Sequence, residues 1–114
     1  MERENILINY IEFKSTNLEE TKIFYSHLFG WEFTDYGDRY TAFSGAGIDG
    51  GFELTDQKIE NGALVVLYHG HLERILEKLK EAKATITVPI LSFPGGRRFQ
   101  FLDPSGNELA IWSE

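Results

Sequence analysis

Along the first half of the chain, apolar residues change from the pattern of a strand to that of a helix and back again. Residues 6–13 (ILINYIEF) have the β-branched and aromatic content of a strand. The next apolar residues recur at roughly helical spacing: Leu18, Phe24, Tyr25 and Leu28. Three short strand-like segments follow, separated by turns that contain Gly and Asp: residues 31–34, 39–43 and 51–55. This half predicts the order β-α-β-β-β.

The first predicted helix has recognisable start and stop signals. Asn17 can cap the first turn, and Glu20, three residues later, completes a capping box. Gly30 can adopt the left-handed conformation that ends many helices. These signals place the helix between Asn17 and Gly30.

The second half repeats the same order. Residues 63–68 (ALVVLY) predict a strand, and apolar residues then follow at i, i+3, i+4 and i+7: Leu72, Ile75, Leu76 and Leu79. Three further strands are predicted at residues 85–88, 97–102 and 108–112, the last two joined by the turn sequence DPSG at 103–106. The repeat predicts one α+β domain over residues 1–114, with βαβββ modules at about 6–55 and 63–113.

Composition excludes several classes of function. The net charge of -7 disfavours binding to nucleic acid or to an anionic membrane surface. No apolar run approaches the roughly 20 residues of a membrane-spanning helix. The chain has no cysteine, so a disulfide framework and thiolate metal sites are excluded. We therefore expect a cytoplasmic protein with neither nucleic-acid nor membrane partners.

Two segments carry motifs of a known family. Residues 17–31 (NLEETKIFYSHLFGW) match a D-L-x-x-A…F-Y…L-G-W opening, and residues 101–109 (FLDPSGNEL) match an F-x-D-P-D-G-N-x-I-E close. Both resemble the vicinal oxygen chelate superfamily of glyoxalases, bleomycin-resistance proteins and extradiol dioxygenases. The resemblance implies two βαβββ modules that form an open, cup-shaped mixed sheet with helices on its outer face. This superfamily includes isomerases, dioxygenases, epoxide-opening enzymes and ligand-sequestering proteins, so function must be argued from the site.

Alternation along the strands predicts which side chains line the cup. If Leu109 and Ile111 face the helices, then Glu108, Ala110 and Trp112 face the concave side. The same reasoning from Ile11, Phe13, Phe43 and Phe101 places Ile8, Tyr10, Glu12, Tyr40, Ala42, Arg98 and Gln100 there. The predicted ligand pocket comprises eight of the polar and aromatic residues: Tyr10, Glu12, Tyr40, Glu53, Arg98, Gln100, Glu108 and Trp112.

The resemblance also implies four metal-ligand positions, one on the first and one on the last strand of each module. In this chain they fall at Tyr10, Glu53, Ala63 and Ala110. Only Glu53 is a usual ligand, and a catalytic divalent metal normally needs three protein ligands. No cofactor is therefore expected. The alternative is a displaced metal site formed by the carboxylates Glu12, Glu53 and Glu108.

Three functional hypotheses follow from these residues. The leading one is a cup that binds a small molecule without a catalytic metal, with Glu53 or Glu12 as the candidate general base if burial raises its pKa. The second is a metal-dependent isomerase, lyase or dioxygenase that uses the displaced carboxylates. The third is an interaction module whose cup is filled by a partner or by its own side chains, such as a network of Arg98, Gln100 and the acids.

Homodimerisation is a further expectation. The resemblance implies it, and open sheets have edge strands that pairing can cover.

Overall fold

The computed structural model describes residues 7–114 and contains, within them, two helices and eight strands. The first module comprises β1 (Tyr10–Ser15), α1 (Leu18–Phe29), β2 (Glu32–Asp35), β3 (Tyr40–Ser44) and β4 (Asp49–Leu54). The second comprises β5 (Val65–Tyr68), α2 (Leu72–Glu81), β6 (Thr85–Phe93), β7 (Gly96–Leu102) and β8 (Glu108–Ser113).

The strands form two four-stranded sheets, one from each module. The orders are β1-β4-β3-β2 and β5-β8-β7-β6. In each sheet the first strand of the module pairs in parallel with the last, and the remaining pairs are antiparallel. The predicted α+β fold of two βαβββ modules is therefore confirmed, with two open mixed sheets. Neither helix in residues 7–114 is long and apolar enough to cross a membrane.

The predicted cap at Asn17 and stop at Gly30 are confirmed, whereas the predicted capping box is not formed, because the backbone N–H of Asn17 donates to the Ser15 hydroxyl at 3.1 Å. The side chain of Asn17 accepts a hydrogen bond of 3.0 Å from the backbone N–H of Glu20. Gly30 follows the last helical residue with a backbone φ of 76°. Residues that have a Cβ rarely adopt this left-handed conformation. The turn predicted at residues 103–106 is also present, and it joins β7 to β8.

Strand β1 starts later than the sequence pattern indicated. Ile6 lies outside the described residues, and the side chains of Leu7 and Ile8 are 76% and 81% exposed. The strand begins at Tyr10 because β4, the strand it pairs with, begins opposite at Asp49. The assignment of Ile8 to the inner face was therefore wrong.

Strand β6 is longer than predicted, since it continues past residue 88 to Phe93. Pro89 made an end at residue 88 plausible, because proline cannot donate to a sheet ladder. In the structure β6 is an edge strand, and its register with β7 shifts between Val88 and Leu91. An edge position with an irregular register tolerates the proline.

One hydrophobic core serves both modules, and α1 connects its two parts. The ring of Tyr25 lies 5.1 Å from that of Phe52 in the first sheet. The ring of Phe24 lies 6.3 Å from that of Phe101 in the second sheet. The same cluster includes α2 through Ile75. The core therefore covers one side of each sheet.

A buried polar junction around Asp103 also links the modules. The Tyr25 hydroxyl donates a hydrogen bond of 2.8 Å to this carboxylate. The Asn107 side chain donates 3.0 Å to the same carboxylate and 2.8 Å to the carbonyl of Lys14. The backbone N–H groups of Ser105 and Asn107 donate to its other oxygen. Burial raises the pKa of Asp103 despite these hydrogen bonds, which act in the opposite direction.

We predict that Asp103→Ala lowers the free energy of unfolding by about 3 kcal/mol, because it leaves buried donors from Tyr25 and Asn107 without an acceptor. Urea denaturation followed by circular dichroism measures the change. The matched control is Asp38→Ala in an exposed turn, which should change stability by less than about 0.5 kcal/mol. Equal losses in the two variants would contradict the role of the junction.

Candidate functional site

The eight side chains predicted for the pocket lie on the sides of the two sheets opposite the helices, called here the helix-free faces. The first sheet carries Tyr10, Glu12, Tyr40 and Glu53, and the second carries Arg98, Gln100, Glu108 and Trp112. Alternating burial defines the faces. In β1, Phe13 and Ser15 are buried, whereas Glu12 and Lys14 are exposed.

Two tyrosines are paired on the first helix-free face. The hydroxyl oxygens of Tyr10 and Tyr40 are 2.5 Å apart. The ring of Tyr40 lies over Gly51, where a Cβ would collide with it. Burial raises the pKa of Tyr40, and its hydrogen bond to Tyr10 and the neighbouring Glu12 carboxylate add to the effect. Tyr40 is therefore a neutral hydroxyl at physiological pH.

Glu53 forms an ion pair with Lys14 on the same face. The hydrogen bond and charge of Lys14 lower the pKa of Glu53, and the same contact raises the pKa of Lys14. Both side chains are 49% exposed, and the effect of burial, which would raise the pKa of Glu53, is outweighed by Lys14. Lys14 was missing from the predicted set, although its alternation with Phe13 would have placed it on this face.

On the second helix-free face, Glu108 is the centre of a small polar network. Gln100 donates to its carboxylate at 3.0 Å and Thr87 at 2.6 Å. Arg98, the predicted partner of the acids, forms no ion pair with any residue in 7–114. Its Nε is buried and has no hydrogen-bond partner there. The hypothetical network of Arg98, Gln100 and acids is thus only partly formed.

Aromatic rings surround Trp112 on this face. The ring of Tyr68 lies 5.2 Å from Trp112, and that of Phe93 lies 6.2 Å away. Tyr68 and Phe93 are 54% and 37% exposed. Sequence reasoning missed both. Tyr68 pairs in register with Trp112, so strand alternation could have identified it, whereas Phe93 lies beyond the predicted end of β6.

The eight side chains form two groups rather than one cluster. Among residues 7–114, their hydrogen bonds and ion pairs each stay within one sheet. A cleft of about 410 Å³ between the modules and one of about 630 Å³ along α1 include none of the eight. Tyr10, Glu12 and Glu53 are exposed, and the other five side chains are partly buried.

The four metal-ligand positions implied by the resemblance do not suit a divalent cation. The Tyr10 hydroxyl is hydrogen-bonded to Tyr40, and Glu53 forms an ion pair with Lys14. Ala63 and Ala110 have no side-chain atom that could bind a metal. Within residues 7–114, no three His, Cys, Asp or Glu side chains form a group able to hold a metal ion. The carboxylates of the displaced-site hypothesis are likewise divided, with Glu12 and Glu53 on the first sheet and Glu108 on the second.

Comparison with known proteins places the chain in a family. The model of the Glyoxalase/Bleomycin resistance protein/Dioxygenase superfamily matches residues 7–111. The chain belongs to this superfamily. No curated protein sequence matches it significantly.

Solved structures share the glyoxalase-superfamily fold at low sequence identity. The fosfomycin resistance protein FosX from Listeria monocytogenes is 16% identical with a TM-score of 0.83, and the match covers 97% of this chain and 95% of that one. A glyoxalase-related enzyme from Fulvimarina pelagi is 18% identical with a TM-score of 0.80, covering 95% and 88%. Lactoylglutathione lyase from Agrobacterium tumefaciens is 12% identical with a TM-score of 0.74, covering 97% and 96%. At these identities the similarity establishes the fold alone.

We predict that Lys14→Met raises the pKa of Glu53, because the substitution removes the cation that stabilises the carboxylate. In the parent protein the pair stabilises the fold above the unfolded pKa of Glu, about 4.3, and this contribution is lost as pH falls through the lowered folded pKa. Carboxyl ¹³C NMR titration measures the shift.

Lys22→Met is the control, since Lys22 pairs with Glu19 and Asp35 instead. A Glu53 pKa that is unchanged in Lys14→Met would show that the ion pair is absent in solution.

Proposed function

We propose that this glyoxalase-superfamily protein binds a small molecule on its helix-free faces without a catalytic metal. The proposal depends on one observation: aromatic and polar side chains occupy exposed strand positions, while two of the four family ligand positions are alanine. Rings provide flat apolar surface, and a few polar groups set orientation. With a net charge of -7 and no cysteine, we further propose a cytoplasmic location and no nucleic-acid or membrane partner.

Any proton transfer on these faces would use Glu12 rather than Glu53. Lys14 stabilises the charged form of Glu53 and lowers its pKa, and a lower pKa makes a carboxylate a weaker base. Glu12 is exposed on the same face and has no ion-pair partner among residues 7–114. It also lies beside the paired hydroxyls of Tyr10 and Tyr40, which can accept hydrogen bonds from a bound ligand.

The alternative is a metal-dependent isomerase, lyase or dioxygenase. One neighbour is described as lactoylglutathione lyase, which makes lyase chemistry compatible with this fold. The metal would require Glu12 and Glu53 on the first sheet to approach Glu108 on the second. Because Lys14 and Gln100 already satisfy two of these carboxylates, we favour the metal-independent function.

We predict that protein treated with EDTA still binds small molecules, because no step of the proposed function uses a metal. A thermal-shift screen of a metabolite library detects binding as a rise in Tm. Trp112→Ala or the double variant Tyr10→Phe, Glu12→Gln should reduce the shift, while Ile23→Ala, exposed on α1, should not.

Two results would count against this proposal. One is a library without any binder. The other is a stoichiometric divalent metal in protein purified without chelators, lost in Glu53→Gln, which would favour the metal-dependent alternative.

We also propose that the chain forms a homodimer that covers the helix-free faces. Val66 and Tyr68 are 45% and 54% exposed, and β5 and β6 are edge strands of the second sheet. Exposed apolar faces and unpaired edges favour association. A second copy would also enclose the side chains proposed to bind the ligand, which are exposed or partly buried in one chain.

We predict a sedimentation-equilibrium mass of twice the 13.1 kDa chain mass. Val66→Asp should shift the equilibrium towards monomer, because it places a charge in the covered face. Ile23→Asp introduces the same charge on α1 and should leave the dimer intact. A monomeric parent protein, or equal effects of the two substitutions, would contradict this arrangement.

A further inference from the structure

Four side chains form a row in register across the whole second sheet. Leu91 of β6 pairs with Arg98 of β7, Arg98 pairs with Trp112 of β8, and Trp112 pairs with Tyr68 of β5. Residues paired in this way lie on the same face of a sheet. The guanidinium group of Arg98 is therefore flanked by an aliphatic side chain on one strand and an indole on the other.

The positive charge of Arg98 is not neutralised by residues 7–114. Two acids of the second sheet region have neutral partners, since Glu108 accepts from Gln100 and Thr87, and Glu114 accepts from the Tyr68 hydroxyl. The preceding residue, Arg97, points to the opposite face and forms an ion pair with Glu73. Arg39 and Arg74 also form no ion pair among residues 7–114, so the burial of Arg98 rather than the missing partner sets it apart.

Arg98 is also partly withdrawn from solvent. The side chain is half-buried, and its Nε is fully buried with no acceptor among residues 7–114. Charges that are partly desolvated attract counter-ions more strongly than fully solvated ones. The fork of guanidinium N–H groups matches the geometry of a carboxylate.

The surroundings of Arg98 favour an aromatic ligand. Trp112 lies next to it, with Tyr68 edge-on to the indole at 5.2 Å and Phe93 at 6.2 Å. Gly96 leaves space beside the indole of Trp112 because it has no side chain. A Cβ at this position would lie 3.1 Å from the indole and clash with the backbone of Ser113. A planar ring can therefore lie against this group while its substituent reaches the guanidinium.

We infer that the helix-free face of the second sheet binds a small aromatic carboxylate, with Arg98 as the anion anchor and Trp112 as the ring contact. This inference rests on the proposed small-molecule function and specifies its ligand class. A cationic ligand is disfavoured beside Arg98, because the guanidinium would repel it.

The test compares three naphthalene probes that share one ring system. These are 2-naphthoate, the neutral naphthalene-2-carboxamide and the cationic 2-naphthylmethylammonium, each titrated by calorimetry into the full chain with EDTA present. We expect 2-naphthoate to bind at least about tenfold more tightly than the carboxamide, the usual advantage of a hydrogen-bonded charge. The ammonium probe should bind most weakly.

Substitutions identify the groups responsible. Arg98→Gln should abolish the preference for acid over amide, and Arg98→Lys should retain part of it, which separates loss of charge from misfolding. Arg97→Gln is the matched control and should keep the full preference. Trp112→Ala should weaken 2-naphthoate and the carboxamide by the same factor, because both use the ring contact.

The outcomes separate this inference from the broader proposal. If acid and amide bind the parent protein equally and Trp112→Ala weakens both, the anion anchor is wrong and small-molecule binding survives. If no probe binds while the library screen finds other ligands, the aromatic-carboxylate inference is overturned and small-molecule binding survives. Failure of every probe and of the library screen overturns both proposals.

Discussion

The arrangement of the two modules depends on the hydrogen bonds around the buried carboxylate of Asp103. This carboxylate accepts hydrogen bonds from Tyr25 on α1 and from Asn107 at the start of β8, and Asn107 in turn reaches the backbone of Lys14 in β1. A buried carboxylate is costly unless such donors surround it. Few alternative packings could supply all of these donors, so the junction fixes how α1 lies against the second sheet.

That packing decides which surfaces remain for function. Because α1 contacts the core side of both sheets, the apolar half of every alternating strand is used in the shared core. The other half, including Tyr10, Glu12 and Trp112, is left on the helix-free faces. These side chains can vary without disturbing the shared core, which explains how one fold accommodates different ligands.

The sequence predicted best what depends on neighbouring residues. The cap at Asn17, the stop at Gly30 and the β7–β8 turn follow from local backbone preferences, and all are present. Contacts between distant residues were not predictable in this way. Tyr25 and Asp103 are 78 residues apart, and composition alone could not show that Lys14 would neutralise Glu53. Strand ends also failed where a distant partner sets them, as β4 does for β1.

Electrostatic pairing then gives the two faces different character. On the first, Lys14 holds the Glu53 carboxylate in its charged form and leaves Glu12 beside two tyrosines. On the second, Glu108 keeps its charge among neutral donors, and Arg98 forms no ion pair within residues 7–114. A ligand enclosed between such faces would meet a carboxylate and phenol groups on one side and a cation and rings on the other. An asymmetric ligand with an anionic end and a hydrogen-bonding end fits that division better than a symmetric metal-centred site.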